Sequence, residues 1–184
     1  MKQVLVPLAT GCEELEAVTI VDVLRRGGVT VVTASLDERP VKASRGVVLV
    51  ADTTLEKAID SDSFDLVAIP GGMGGATLLT ETESFIAYLR HMNDTGRFVA
   101  AICAAPLALG KAGLLDGRAF TAYPGVLDAR LYPGSKYTGN VMEVDSNVIT
   151  SRGPGTALDF ALLLLELLED MEVRNNVEKQ LLRP

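Results

Sequence analysis

Cysteine and histidine are scarce in this 184-residue sequence: there are two cysteines, Cys12 and Cys103, and one histidine, His91. Two cysteines cannot build a disulfide framework, so a reducing cytoplasm is the expected compartment. One histidine leaves zinc short of ligands. His91 falls late in a predicted helix leading into the strand that ends at Cys103, which places it at that strand's amino end, away from the sulfur. A Cys-His dyad, on which thiol proteases and glutamine amidotransferases depend, is therefore not expected. Positive charge is also short: 17 Lys and Arg against 24 Asp and Glu leave a net charge of −7, which disfavours a nucleic-acid surface. Neither G-x-G-x-x-G nor G-x-x-x-x-G-K-[ST] occurs, so nucleotide phosphates are poorly supported and no cofactor is expected. The longest apolar run, Phe98 to Gly110, contains Pro106 and falls short of a membrane span. The amino terminus, with one lysine, a short apolar run and then Glu13 and Glu14, does not read as a signal peptide. Repeats, low-complexity tracts and linkers are lacking, so residues 1–184 read as one domain, long enough to bury its own core.

What is present is an alternation of strands and helices. Val4–Leu8, Thr30–Leu36, Phe64–Ile69, Arg97–Ile102 and Ala119–Tyr123 read as strands. Helices are expected over Glu13–Arg26, closed by Gly27-Gly28, and over Thr54–Ile59, Thr82–Met92, Pro106–Ala112, Thr156–Asp170 and Asn176–Leu182. Two hairpins are expected, one around Ala43–Gly46 and one around Ser146-Asn147. This order predicts an α/β fold whose mostly parallel sheet is covered on both faces.

The sequence is organised around Arg97–Pro106, an apolar strand that runs into Cys103 and at once into a helix. A side chain at that elbow lies at the carboxyl end of a buried strand, where open α/β sheets place their ligands, and faces a helix amino end that favours a thiolate. The other reading is a small buried hydrophobe, the usual role of free cysteine. Glu16 lies one turn before Ile20 on the apolar side of the first helix; it is either a first-turn acid that complements the helix dipole or a buried carboxyl held protonated near neutral pH. Gly71-Gly72-Met73-Gly74-Gly75 follows a strand and reads as a flexible turn or as backbone N–H groups set close to an oxyanion. Arg45 and Arg152 are anion ligands near a sheet edge or surface charges, and Cys12 is a resolving thiol or a loop cysteine.

Four stretches in order, Gly11–Glu16, Pro70–Gly72, Ala100–Pro106 and Thr150–Thr156, give the sequence a resemblance to the ThiJ/PfpI superfamily over nearly its whole length. It is most similar to the branch of Parkinson-disease-associated and YajL-like proteins. The resemblance implies a flavodoxin-like three-layer sandwich of the class I glutamine-amidotransferase type, and a homodimer. It also implies that Cys103 is the nucleophile, that Glu16 is a protonated partner, that Gly72 and Ala104 donate backbone N–H groups to an oxyanion, and that Arg45 and Arg152 can bind anions. Tyr123 stands where several members have a histidine beside the cysteine, so imidazole is not carried over as a base, and the resemblance places Tyr123 with Arg45 and Arg152 among the anion- and substrate-binding residues. Ala104 stands where the protease-like branch has a histidine, which sets peptidase activity aside. The implied activity is a cofactor-free glyoxalase or protein deglycase, acting on methylglyoxal-type dicarbonyls or their early protein adducts. The alternative is a redox sensor or chaperone in which Cys103 is oxidised to sulfinic acid.

Overall fold

The computed structural model describes residues 1–183. Its strands are β1 (Gln3–Leu8), β2 (Thr30–Ser35), β3 (Val41–Lys42), β4 (Val48–Leu49), β5 (Thr53–Thr54), β6 (Leu66–Ile69), β7 (Phe98–Ile102), β8 (Ala119–Phe120), β9 (Lys136–Tyr137), β10 (Met142–Asp145) and β11 (Val148–Ser151). Its helices are α1 (Glu14–Arg26), α2 (Leu55–Ser61), α3 (Met73–Glu81), α4 (Glu83–Asp94), α5 (Pro106–Lys111), α6 (Ala157–Leu168) and α7 (Met171–Gln180).

Seven strands form one sheet in the order β10-β11-β7-β6-β1-β2-β5, parallel except for β10. Residues alternate between its faces. Val4, Val6 and Leu8 of β1 join a core with Ala17, Ile20 and Leu24 of α1 and with the apolar side of α6. Leu5 of the same strand joins a second core with Leu55 of α2, Phe85, Ile86 and Leu89 of α4 and Leu109 of α5. β1, β6 and β7 are buried on both faces, which explains their unbroken apolar runs. From β1 the chain first builds outward through β2 and β5, then returns to lay β6, β7 and β11 on the other side. The order therefore reverses between β1 and β6, and the loops leaving those two strands open a crevice at the carboxyl edge of the sheet.

Several expected boundaries move. The glycine run is not a flexible turn: α3 begins at Met73 and takes Gly74 and Gly75 into its first turn. The strand expected over Ala119–Tyr123 stops at Phe120 and pairs with β9 in a separate two-stranded sheet. Beyond it the backbone turns to other partners: Thr121 N–H donates to Thr150 Oγ1 at 2.9 Å and Tyr123 N–H to the Cys103 carbonyl at 2.8 Å. α7 starts at Met171, five residues before the expected Asn176, because Asp170 caps it by accepting from Val173 N–H at 2.9 Å. Val18 of α1 is half exposed.

Candidate active site

β7 delivers Cys103 to the crevice, and the backbone fixes it there. Its φ of +63° is left-handed, a conformation that costs a non-glycine residue on the order of 1–3 kcal/mol. The surroundings hold it in place: Cys103 N–H donates to the Ser151 carbonyl at 2.9 Å, its own carbonyl accepts from Tyr123, and Ala105 N–H closes the turn onto Ile102 at 3.0 Å. Pro106 then opens α5, where its missing N–H costs nothing. Cys103 is nearly buried, 8% exposed.

α1 brings Glu16 to the same point from the neighbouring loop. Its carboxyl is fully buried, and Oε2 accepts from Gly71 N–H at 2.7 Å. Oε1 meets no hydrogen-bond partner among the described residues, and the carboxyl lies beside the Cys103 thiol, each group shifting the other's titration. Gly71 has to lack a side chain here, since a Cβ would lie 2.6 Å from Cys103 Cβ and 2.8 Å from Glu16 Oε2. Burial pushes the Glu16 carboxyl up to about 7 against the hydrogen bonds that lower it. The same burial, and then the Glu16 charge, pushes the Cys103 thiol up to about 12. Two negative charges are thus not held together near neutral pH, and both titration steps belong to the pair.

This corrects the expectation of a sulfur held as a thiolate by the helix end and a protonated Glu16: burial keeps it a thiol near neutral pH. α5 is six residues long and begins with a proline, and the donors aimed at the sulfur are the N–H groups of Gly72 and Ala104. Near neutral pH the sulfur is a thiol, and a thiolate forms only as its proton passes to Glu16.

Cys103 opens into a recess of about 490 Å³ lined also by Gly72, Ala104, Arg45, Tyr123 and Met73. Of the expected oxyanion, anion and substrate ligands, Arg152 is the one outside this recess: it lines an adjoining recess that shares Tyr123 and Pro154 with the first. Cys12 is sealed against Gly75 of α3 and is pushed up to about 11 by burial and by Glu14, which removes it from the accessible chemistry. His91 is at the opposite edge of the sheet, 3.0 Å from Asp62.

The family model for the DJ-1/PfpI family matches residues 2–167. The chain belongs to the DJ-1/PfpI family. It is 42% identical over 182 residues to Drosophila melanogaster protein DJ-1alpha, covering 98% of this chain and 84% of that one. It is 37% identical over 169 residues to a Caenorhabditis elegans protein named glutathione-independent glyoxalase DJR-1.2, covering 92% and 89%. The crystal structure of Drosophila DJ-1beta superposes with a TM-score of 0.92 at 40% identity, covering 100% of this chain and 98% of that one.

For this DJ-1/PfpI chain the sequence pointed to the sulfur, the acid, the glycine run and the hairpin turn that carries Arg45, but not to what forbids a side chain at Gly71 or to what ties that turn to α1. Glu13 and Glu14 had signalled only acids in a first turn. In the structure Ser44 Oγ donates to Glu13 at 2.7 Å and to Glu14 at 3.0 Å, tying the β3–β4 hairpin to the head of α1.

Proposed function

We propose that the protein is a glutathione-independent glyoxalase that converts 2-oxoaldehydes of the methylglyoxal type to 2-hydroxy acids through Cys103. The single observation that carries this reading is the buried Glu16 carboxyl set beside Cys103 across Gly71, with the backbone N–H groups of Gly72 and Ala104 acting to lower the thiol. A nucleophile, a proton carrier and an oxyanion site converge within one small recess, as acyl-type carbonyl chemistry requires.

The steps balance without an outside oxidant. The Cys103 thiol passes its proton to the Glu16 carboxylate as the sulfur adds to the aldehyde carbon, and the alkoxide that forms lies against the two N–H donors, each contributing roughly 3–4 kcal/mol in comparable sites. Glu16 gives its proton to that oxygen and then, as carboxylate, removes the proton from the former aldehyde carbon. Returning it to the neighbouring ketone carbon turns the hemithioacetal into a thioester: the aldehyde carbon is oxidised as the ketone is reduced. Water hydrolyses the thioester, releasing the 2-hydroxy acid and the thiol. Early adducts of the same dicarbonyls on protein side chains carry the same reacting carbons, and the open recess admits them in this reading.

The test follows lactate from methylglyoxal without glutathione. Cys103→Ser is expected to fall to the uncatalysed rate, and Glu16→Gln, which cannot carry a proton, to lose about 10²- to 10⁴-fold in kcat. A Cys103→Ser variant as active as the wild type sinks the reading. A second reading, oxidation of Cys103 to a sulfinate as a redox signal, is favoured by the same N–H donors, which suit sulfinate oxygens equally. Mild peroxide that adds two oxygens at Cys103 but not at sealed Cys12, in a protein without measurable lactate formation, selects it.

A further inference from the structure

The site holds an acid whose role the mechanism does not use. Glu14, in the first turn of α1, points away from the sulfur and toward the hairpin tip. Its carboxylate accepts from Arg45 N–H at 2.9 and 3.0 Å, from Ser44 Oγ at 3.0 Å and from Val47 N–H at 3.4 Å. These hydrogen bonds hold the carboxyl below the usual carboxylate range. The turn is further pinned by Ser44 N–H on the Cys12 carbonyl at 2.8 Å and by Ala43 N–H on the Val47 carbonyl at 2.8 Å. Arg45, at its tip, lines the Cys103 recess, and its guanidinium takes part in none of the ion pairs formed among the described residues.

We propose that Glu14 is a positioning residue: its carboxylate clamps the Ser44–Val47 turn to the head of α1, and the turn in turn holds the Arg45 guanidinium where it attracts anionic groups entering the Cys103 recess. The helix that supplies the buried acid thereby also sets the charge at the mouth, so both are fixed by one rigid element. Carbonyl compounds bearing a carboxylate or phosphate are the substrates this arrangement selects over neutral ones of equal size. The proposal deepens the glyoxalase reading by naming its charge preference, but its test does not depend on turnover.

The two possible roles of Glu14 move a charged probe in opposite directions. Were Glu14 only a nearby negative charge, removing it would speed the approach of an anion. Were it a clamp, removing it would free Arg45 and slow that approach. Iodoacetate and iodoacetamide have similar size and differ by one charge, so the ratio of their alkylation rates at Cys103, read by mass spectrometry of the Cys103 peptide, reports the field at the mouth. In Glu14→Gln the iodoacetate-to-iodoacetamide ratio is expected to fall about two- to fivefold, the range for one partly screened charge. The iodoacetamide rate is expected to stay at the wild-type value, showing that the thiol and its fold are intact. Arg45→Ala is expected to lower the ratio by a similar factor, and the double variant to lower it no further. A ratio that rises or holds steady in Glu14→Gln, or that drops additively in the double variant, overturns the proposal. Loss of lactate formation with the ratio pattern intact would instead count against the glyoxalase reading alone.

Discussion

Glu16 binds its proton more tightly in the folded protein than in the unfolded chain, where a glutamate titrates near 4.5. The sign of its effect on stability follows. Below about 4.5 the acid is neutral in both states and the full contribution is present; as pH rises toward about 7 the unfolded chain ionises first and the contribution is lost. The loss amounts to about 3 kcal/mol at roughly 1.4 kcal/mol per pH unit. Urea titrations at pH 4.5 and 7.5 are expected to show this decline in the wild type, and a Glu16→Gln variant is expected to lack it, the difference between the two curves isolating the one carboxyl. Identical pH dependence in both proteins would mean that the carboxyl is solvated and ionised. Glu16 was readable because its spacing to Ile20 placed it on an apolar face, a local property. Why Gly71 must be glycine was not, because what forbids a side chain there is contact with Cys103 and with Glu16, the latter 55 residues away in sequence.

At the scale of elements, α3 shows why propensity misled. Gly74 and Gly75 each cost a helix about 1 kcal/mol relative to alanine, and the run they belong to reads as a turn. The helix forms because its first turn lies directly on the β1–α1 loop, where a Cβ on Gly75 would come within 2.8 Å of the Cys12 nitrogen and 2.9 Å of its Cα. These are backbone atoms that hold the head of α1, so they cannot yield cheaply. Gly75→Ala is therefore expected to destabilise by about 1–3 kcal/mol despite its better helix propensity. Gly155, in the 3-10 turn Pro154–Thr156, has nothing within 4 Å of its would-be Cβ. Gly155→Ala is expected to be neutral or to stabilise by a few tenths of a kcal/mol through the unfolded chain. Differential scanning calorimetry of the two variants checks both signs at once. Two short strands were beyond sequence reading for another reason: β5 and β9 are two residues each and owe their ladders to neighbours rather than to any periodicity of their own.

At the scale of the whole molecule, alternating strands and helices made the parallel sheet legible, but the strand order was not, since periodicity carries no information about which strands become neighbours. That order divides labour between the two edges of the sheet. The carboxyl edge gathers Gly72, Cys103 and the loop before Glu16, where glycines and a left-handed cysteine leave polar groups facing a recess. The amino edge is closed by hydrogen bonds: Gln3 N–H to Asp65 at 2.8 Å, Arg97 to Asp62 at 2.7 Å, and Arg118 to Asn93 at 3.0 Å. Asn147 is central to it. Its side-chain amide donates to the Asn93 carbonyl at 3.1 Å and the Arg97 carbonyl at 2.8 Å, fastening the β10–β11 hairpin to the turn that begins β7. Removing those donors in Asn147→Ala leaves two partly buried carbonyls short of a partner, at a cost of about 1–3 kcal/mol. The strand between that turn and Cys103 is buried on both faces and paired on both sides, so the loosened turn has a rigid ladder between it and the sulfur. The urea midpoint of Asn147→Ala is therefore expected to fall while methylglyoxal turnover and the alkylation rate of Cys103 at 25 °C stay within about twofold of the wild type, the size of effect expected for distant, independent sites. A proportional loss of reactivity would show that the amino-edge network tensions the elbow through β7, and that the two edges act as one.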